Sequence, residues 1–178
     1  MELIDSLIYI SNIESGKATV NEKEYDTVEA MQSAISITRH LCNEKGLSFE
    51  FEVDEKMPVR LFGDVDKLSQ IIWTLINNGV KYTSDGGVTI RATVDSIENN
   101  YCDLNISVKD SGPGISDEFK DVIFNSFETI GYMTVGVPYE FGLGLTISRM
   151  FANLMNGTIE VSSEEGQGAT FTFKVRQK

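Results

Sequence analysis

Cysteine, proline, histidine and basic charge are all scarce in this sequence, and each shortage closes off a class of protein. Cys42 and Cys102 stand far apart and share no CxxC or His-containing metal spacing. Neither a disulfide scaffold nor a zinc site is expected, and reduced thiols in a cytoplasmic protein are the natural reading. Lys and Arg number 15 against 27 Asp and Glu, a formal charge of −12 over 178 residues. That balance excludes the Lys/Arg footprint which nucleic-acid backbones require. No apolar run approaches ~18 residues, and the N-terminus lacks the basic-then-apolar layout of a secretory leader. No membrane contact is therefore expected from this chain. With three prolines and no Pro/Ser-rich linker, it reads as one compact domain behind a short arm.

What is present is enough to build a core: 41% hydrophobic residues, with ten Phe and six Tyr. Over Met1–Glu14, Leu3, Ile4, Leu7, Ile8 and Ile10 fall at roughly helical spacing until Gly16 stops the pattern. So short an amphipathic piece cannot bury its stripe alone, and it is expected to pack elsewhere as the tail of a longer helix. Val28, Met31, Ile35, Thr38 and Cys42 mark a helix over Thr27–Asn43. Leu47, Phe49, Phe51 and Val53 alternate as one face of a strand. Asp64 is a plausible N-cap for a helix whose buried stripe is Leu68, Ile71, Ile72, Leu75, Ile76 and Gly79. Strands follow at 88–94 and 102–108, with the polar 95–100 stretch as their connection. A helix over Leu143–Met155 precedes strands at 159–161 and 169–175. Five alternating strands, each with one polar face, do not suit a doubly wound parallel sheet. They predict a two-layer α/β (α+β) sandwich, a mixed and mostly antiparallel five-stranded sheet with helices on one face.

Three stretches carry chemistry. In Lys109-Asp-Ser-Gly-Pro-Gly-Ile115, strand parity turns Asp110 toward the helix layer, where a carboxylate is costly unless donors meet it. Gly112 and Gly114 let the backbone turn sharply beside it and approach a flat ligand. An inward carboxylate beside such a gap suits an exocyclic amine such as that of adenine, although an exposed turn would carry the same pentapeptide. Thr74, Asn78, Lys81 and Tyr82 share one face of the preceding helix. Asn78 offers an amide oxygen to a hard cation and Lys81 a point charge to phosphate, while a simple wet helix face is the competing reading. Closely spaced glycines in Phe141-Gly-Leu-Gly-Leu145, just before a helix, expose N–H groups that can cradle phosphate. The Glu164-Glu-Gly-Gln-Gly168 stretch reads as a tight turn.

The order of these motifs resembles the ATP-binding catalytic domain of bacterial sensor histidine kinases, of the gyrase, heat-shock-chaperone, histidine-kinase and MutL superfamily. The matching segments are Thr74–Thr83, Asp110–Ile115, Ile123–Phe127, Gly142–Leu145 and Gly166–Phe171. The resemblance implies the Bergerat-type ATP-binding fold over 17–178, with 1–16 as the tail of a second dimerisation helix and its linker. It implies ATP and Mg²⁺ as cofactors. Asn78 would hold the metal, Lys81 would meet the phosphates, and Tyr82 would lie near the base. Asp110 would accept the adenine amine, with Gly112, Gly114 and Ile115 shaping the base pocket. Phe124 and Phe127 would anchor a segment from about Glu128 to Phe141 that closes over the nucleotide. Gly142, Leu143, Gly144 and Leu145 would meet the triphosphate. The implied activity is phosphoryl transfer to a histidine on the protein's own upstream dimerisation domain, for relay to a response-regulator receiver.

Thr74 stands where many relatives have Asn and where gyrase-type hydrolases have a general-base Glu, so water activation is not expected. Glu140 and Ala169 also depart from the pattern. A nucleotide-binding regulatory domain without kinase activity is the alternative reading. His40, the only histidine, lacks the acceptor context and is expected to be a partly exposed structural residue.

Overall fold

The computed structural model describes residues 3–125 and 142–178. In chain order the elements are α1 (Leu3–Glu14), β1 (Lys23–Asp26), α2 (Thr27–Lys45), β2 (Ser48–Val53), β3 (Arg60–Gly63) and α3 (Val65–Tyr82). β4 (Gly87–Glu98) and β5 (Tyr101–Asp110) follow, then two 3-10 turns (Asp117–Phe119 and Val122–Phe124), α4 (Gly144–Leu154), β6 (Thr158–Ser163) and β7 (Ala169–Gln177). The main sheet runs β2-β4-β5-β7-β6. β2 lies parallel to β4 and every other neighbouring pair is antiparallel. α2, α3 and α4 cover one face, so the predicted two-layer sandwich is found.

Alternation decides which face is covered. Cys102, Leu104, Ile106 and Val108 of β5 and Phe171, Phe173 and Val175 of β7 point into the core. They meet Ile71, Leu75 and Ile76 of α3 and Ile147 and Phe151 of α4. Each such fully buried side chain contributes about 1.5–3 kcal/mol of hydrophobic free energy. The opposite face is solvated and carries cross-strand ion pairs, Glu52 with Arg91, Asp103 with Arg176 and Glu160 with Lys174.

Capping fixes the helices. Asp26 accepts from the N–H groups of Val28 and Glu29 at 2.9 and 3.1 Å to start α2, which ends at Gly46 with φ 72°. Asp64 starts α3 as expected, accepting from Lys67 N–H at 3.0 Å and from Asn21 N–H at 2.8 Å. Burial pushes its carboxyl up, but these bonds and the Lys67 ammonium outweigh that and hold it below the usual range. Lys45, at the end of α2, donates to the carbonyls of Val80 and Lys81 at 2.7 and 3.0 Å and so caps α3 with a positive charge.

Three expectations need correction. The hairpin connection is shorter than 95–100: β4 runs on to Glu98 and leaves only Asn99 and Asn100, with φ 53° and 63°, as a tight turn into β5. Pairing with β5 overrides the weak strand preference of these polar residues, helped by Ser96 Oγ donating to Asp103 at 2.7 Å. Val53 does not share the buried face of Leu47, being 51% exposed at the end of the edge strand β2. The sequence also hid a second, two-stranded sheet, β1 with β3. It joins the main body where Phe62 and Lys178 exchange backbone hydrogen bonds of 2.5 and 3.1 Å.

The arm is a helix, and it does not pack solely elsewhere. The Tyr9 ring meets Phe151 of α4 edge-on at 5.6 Å, and Ile10 and Ile13 rest on the core. Leu7 and Ile8 remain exposed. Among the described residues no helix is long and apolar enough to cross a membrane.

Candidate nucleotide-binding site

Asp110 is where strand parity placed it. It is the last inward residue of β5 and is 7% exposed. Its Oδ1 accepts two backbone N–H groups, from Gly112 at 2.9 Å and from Ala169 at 3.3 Å. No described residue donates to Oδ2. Burial pushes the carboxyl above the usual aspartate range, and the two backbone donors offset that only in part. The result is a fixed, desolvated carboxyl group with Oδ1 anchored by two backbone donors and Oδ2 left without a donor among the described residues.

The loop after Asp110 is held by the β6–β7 turn, which the sequence had marked only as a turn. Ile115 N–H donates to Ser163 Oγ at 2.8 Å, Ser163 Oγ donates to the Gly168 carbonyl at 2.7 Å, and Gly166 N–H donates to the Pro113 carbonyl at 2.6 Å. Two glycines make this approach possible. Gly114 has φ +72°, and a Cβ there would lie 2.1 Å from the Glu164 carbonyl oxygen; Gly168 has φ +87°, and its Cβ would lie 2.0 Å from that of Asp110. Gly114 thus serves the fit between loop and turn, while Gly112 lies beside Asp110 Oδ1 and the Tyr82 carbonyl, where the loop meets the end of α3. Ile115 is half-buried against the core.

α3 forms the floor. Gly79 sets it against the sheet beside Asp110, its Cβ position 3.6 Å from the Asp110 Cβ. Asn78 is half-buried, and its amide has no hydrogen bond to a described residue. The Lys81 ammonium lies 5.3 Å from the centroid of the Tyr82 ring, and Tyr82 is half exposed. Thr74 donates its hydroxyl back to the Gln70 carbonyl at 3.0 Å, so it faces the site with its methyl group. The Thr74 Cγ2 atom lies 3.1 Å from where a Cβ on Gly144 would sit.

That contact brings the start of α4 to the other end of the floor. Gly142 has φ 64°, Leu143 is buried in the core, and Leu145 packs against it. The two leucines therefore work as packing anchors, and Gly144 is the residue that brings the start of α4 against Thr74 of α3. No side chain caps α4, so its first N–H groups have the usual affinity of a helix N-terminus for anions. Phe124 is buried where the second 3-10 turn meets α4. Phe127, Glu140 and the span from Glu128 to Phe141 lie outside the described residues. His40 is exposed on α2, with Glu44 at 3.7 Å.

Residues 63–178 match the family described as histidine kinase-, DNA gyrase B-, and HSP90-like ATPase. The chain belongs to this family. It is 31% identical over 175 residues to hybrid signal transduction histidine kinase B of Dictyostelium discoideum, covering 98% of this chain and 9% of that protein. It is 32% identical over 174 residues to the aerobic respiration control sensor protein ArcB of Escherichia coli K12, covering 97% and 22%. The chain thus spans about a tenth to a fifth of the length of these curated relatives. Its fold is shared with full-length ShkA, solved in complex with AMPPNP, with a TM-score of 0.79 and 24% identity over 97% of this chain and 35% of that one. It is shared too with the nucleotide-free catalytic domain of histidine kinase ThkA, with a TM-score of 0.70 and 24% identity over 88% and 98%. In this chain the Asp110 loop meets α3 at Tyr82 and the start of α4 meets it at Thr74, so segments that the sequence had picked out separately lie along one helix. Sequence reasoning missed the Ala169 N–H on Asp110, the Ser163 latch and the α4 side chains that hold Phe124. Backbone donors and contacts between distant elements leave no mark in spacing.

Proposed function

We propose that this chain is the ATP-binding catalytic domain of a sensor histidine kinase, with residues 1–16 as the tail of a dimerisation helix and 17–178 as the catalytic unit. The observation that carries the reading is Asp110: a buried carboxylate with Oδ1 held by two backbone donors accepts an exocyclic amine through Oδ2 and repels the carbonyl that guanine would present there. From Tyr82, beside the Asp110 loop, to Thr74, beside the start of α4, is ~12 Å along the helix. An extended nucleotide laid along α3 would have its base at Asp110, with Gly112, Ile115 and Tyr82 around it, and its phosphates at Gly142–Leu145.

Asn78 and Lys81 lie between these ends. Mg²⁺ prefers one or two protein oxygens together with substrate phosphates and water, which fits a half-buried amide and does not call for a cluster of acids. Among the described residues no group of three His, Cys, Asp or Glu could hold a metal by itself. The ion, when bound, neutralises phosphate charge. Lys81 would add its ammonium on the phosphates, and the first N–H groups of α4 would hold the terminal oxygens. With a net charge of −12, the protein as a whole opposes a polyanion, so affinity should depend steeply on Mg²⁺.

Phosphoryl transfer needs mainly positioning and charge neutralisation. We place the acceptor histidine on a dimerisation domain of the same protein, with a receiver aspartate as the next acceptor and the reaction on the cytoplasmic side of any membrane. His40, exposed and facing Glu44, stands apart from the cleft residues. The absence of a carboxylate at Thr74 favours transfer over hydrolysis. Calorimetry with Mg-ATP and Mg-GTP tests the site: binding of ATP alone is expected, and equal binding of both sinks the Asp110 reading. Labelled ATP with an acceptor domain supplied in trans tests the reaction. Label on the acceptor is expected, and binding without transfer would instead make this a regulatory nucleotide domain.

A further inference from the structure

Phe124, at the end of the second 3-10 turn, is gripped by α4 in two ways. Its carbonyl accepts from Thr146 Oγ1 at 3.0 Å and from Arg149 Nη2 at 3.1 Å. Its ring has the Arg149 guanidinium carbon 5.2 Å from the centroid on one side and the Phe171 ring edge-on at 6.4 Å on another. Thr146 belongs to the uncapped first turn of α4. The segment that ends at Phe124 begins at Ile115, whose N–H is fixed to Ser163. These bonds therefore close a bracket from the base loop, through the 3-10 turns, to the helix end at the far side of the cleft.

We infer that Arg149, with Thr146 beside it, is a positioning residue that fixes the first turn of α4 relative to the Asp110 loop, and thereby sets how that turn meets the phosphates. The consequence for phosphate rests on the nucleotide reading above. The bracket itself does not. Arg149 follows Gly144 by more than a helical turn, ~7.5 Å along the axis, and its hydrogen bond and ring contact are both to Phe124. A guanidinium suits this work because its plane can cover a ring while an N–H meets a carbonyl at the ring's own residue. Lysine reproduces the charge and not the plane.

The test compares the parent protein with Arg149→Met, Arg149→Lys and Thr146→Val. In nucleotide-free protein, hydrogen exchange at 122–125 and 144–147 should quicken in Arg149→Met and Thr146→Val, while β5 and β7 stay protected. Arg149→Met should bind Mg-ATP about tenfold more weakly, and adenosine, which has no phosphate, within about twofold of the parent. Arg149→Lys should fall between. Unchanged exchange in both segments overturns the inference. So does an equal loss for ATP and adenosine accompanied by a lower melting temperature, which marks a merely structural role. If the parent protein binds no Mg-ATP, the functional reading fails, and the exchange measurement still decides whether Arg149 holds α4.

Discussion

The two ends of the cleft are built on different principles. At the Asp110 end, the proposed recognition would lie in a side chain, and the backbone around it is locked by a run of hydrogen bonds: Gly112 and Ala169 on Oδ1, Ser163 on Ile115 and Gly168, and Gly166 on Pro113. At the α4 end, the proposed recognition would lie in the backbone, and side chains do the locking, with Leu143 in the core and Thr146 and Arg149 on Phe124. A carboxylate distinguishes an amine from a carbonyl, so its placement must be exact to fractions of an ångström, and a sheet end provides that. A helix terminus attracts any anion, so it contributes affinity with little selectivity. This division suggests that damage at the Asp110 end should change which ligand binds, whereas damage at the α4 end should change how strongly phosphate is held.

Asp110→Asn breaks the comparison most directly. The volume is kept, but the amide loses the charge that strengthens the acceptor and can turn its NH₂ toward the incoming amine. Affinity for Mg-ATP should drop about 100-fold by calorimetry, close to the cost of mispairing a buried charged acceptor. The melting temperature should hold or rise, because an ionised carboxylate in that position is itself unfavourable. A variant that binds as tightly as the parent would remove the side-chain principle from this end.

Gly114→Ala tests the locking rather than the acceptor. The methyl group would lie 2.1 Å from the Glu164 carbonyl oxygen, on a backbone with φ +72°. Left-handed backbone and displacement of the turn together should cost about 2–3 kcal/mol, lowering the melting temperature by about 6 °C. No loss of stability would mean that loop and turn are not held together as closely as their hydrogen bonds indicate.

How far the sequence foretold this depends on the kind of signal. Period-two alternation put Asp110 on the covered face, because its parity was set by four apolar residues before it. The side chain of Asp64 announced its own cap. β1 and β3 were invisible: they are four-residue strands, and β3 exposes Phe62 while burying Leu61 and Gly63. Arg149 reads as one more exposed helix cation until α4 is docked against the 3-10 turn. Spacing reveals which face a residue occupies and is silent on which distant backbone group it will meet.

Acidification separates the two faces of β5. Burial raises the Asp110 carboxyl, so its contribution to stability is present below the unfolded value of 3.8 and is lost as pH rises through the higher folded value. Nucleotide affinity should move the opposite way, weakening on acidification as the carboxylate takes up a proton, at a pH above that of an ordinary aspartate. On the solvated face, hydrogen bonds from Arg176 and Ser96 hold Asp103 at about 2, below its usual 3.8. Its stabilising contribution is present above 3.8 and fades as pH falls toward about 2. Calorimetric titration across the acid range should detect the Asp110 effect in the parent and not in Asp110→Asn. An identical pH dependence in the two proteins would assign the effect elsewhere.

The smallest expected change is the sharpest check on how α3 serves both ends. Gly79 lies between Asn78 and the sheet, and a Cβ there would meet Val108 Cγ1 at 3.5 Å, Asp110 Cβ at 3.6 Å and Val88 Cγ1 at 3.7 Å. These are ordinary contacts, so alanine fits without moving the helix. Replacing a helix-interior glycine removes a backbone entropy penalty of about 0.5–1 kcal/mol, and Gly79→Ala should therefore raise the melting temperature by about 2 °C. Mg-ATP affinity should stay within about twofold of the parent, because the new methyl group meets Val108, Val88 and the Asp110 Cβ only at ordinary contact distances and leaves the Asp110 carboxyl where it is. A gain in stability with a loss of affinity would mean that the floor must approach Asp110 more closely in the liganded protein than it does here. In that case the Asp110 end, too, would owe part of its recognition to how a helix is placed.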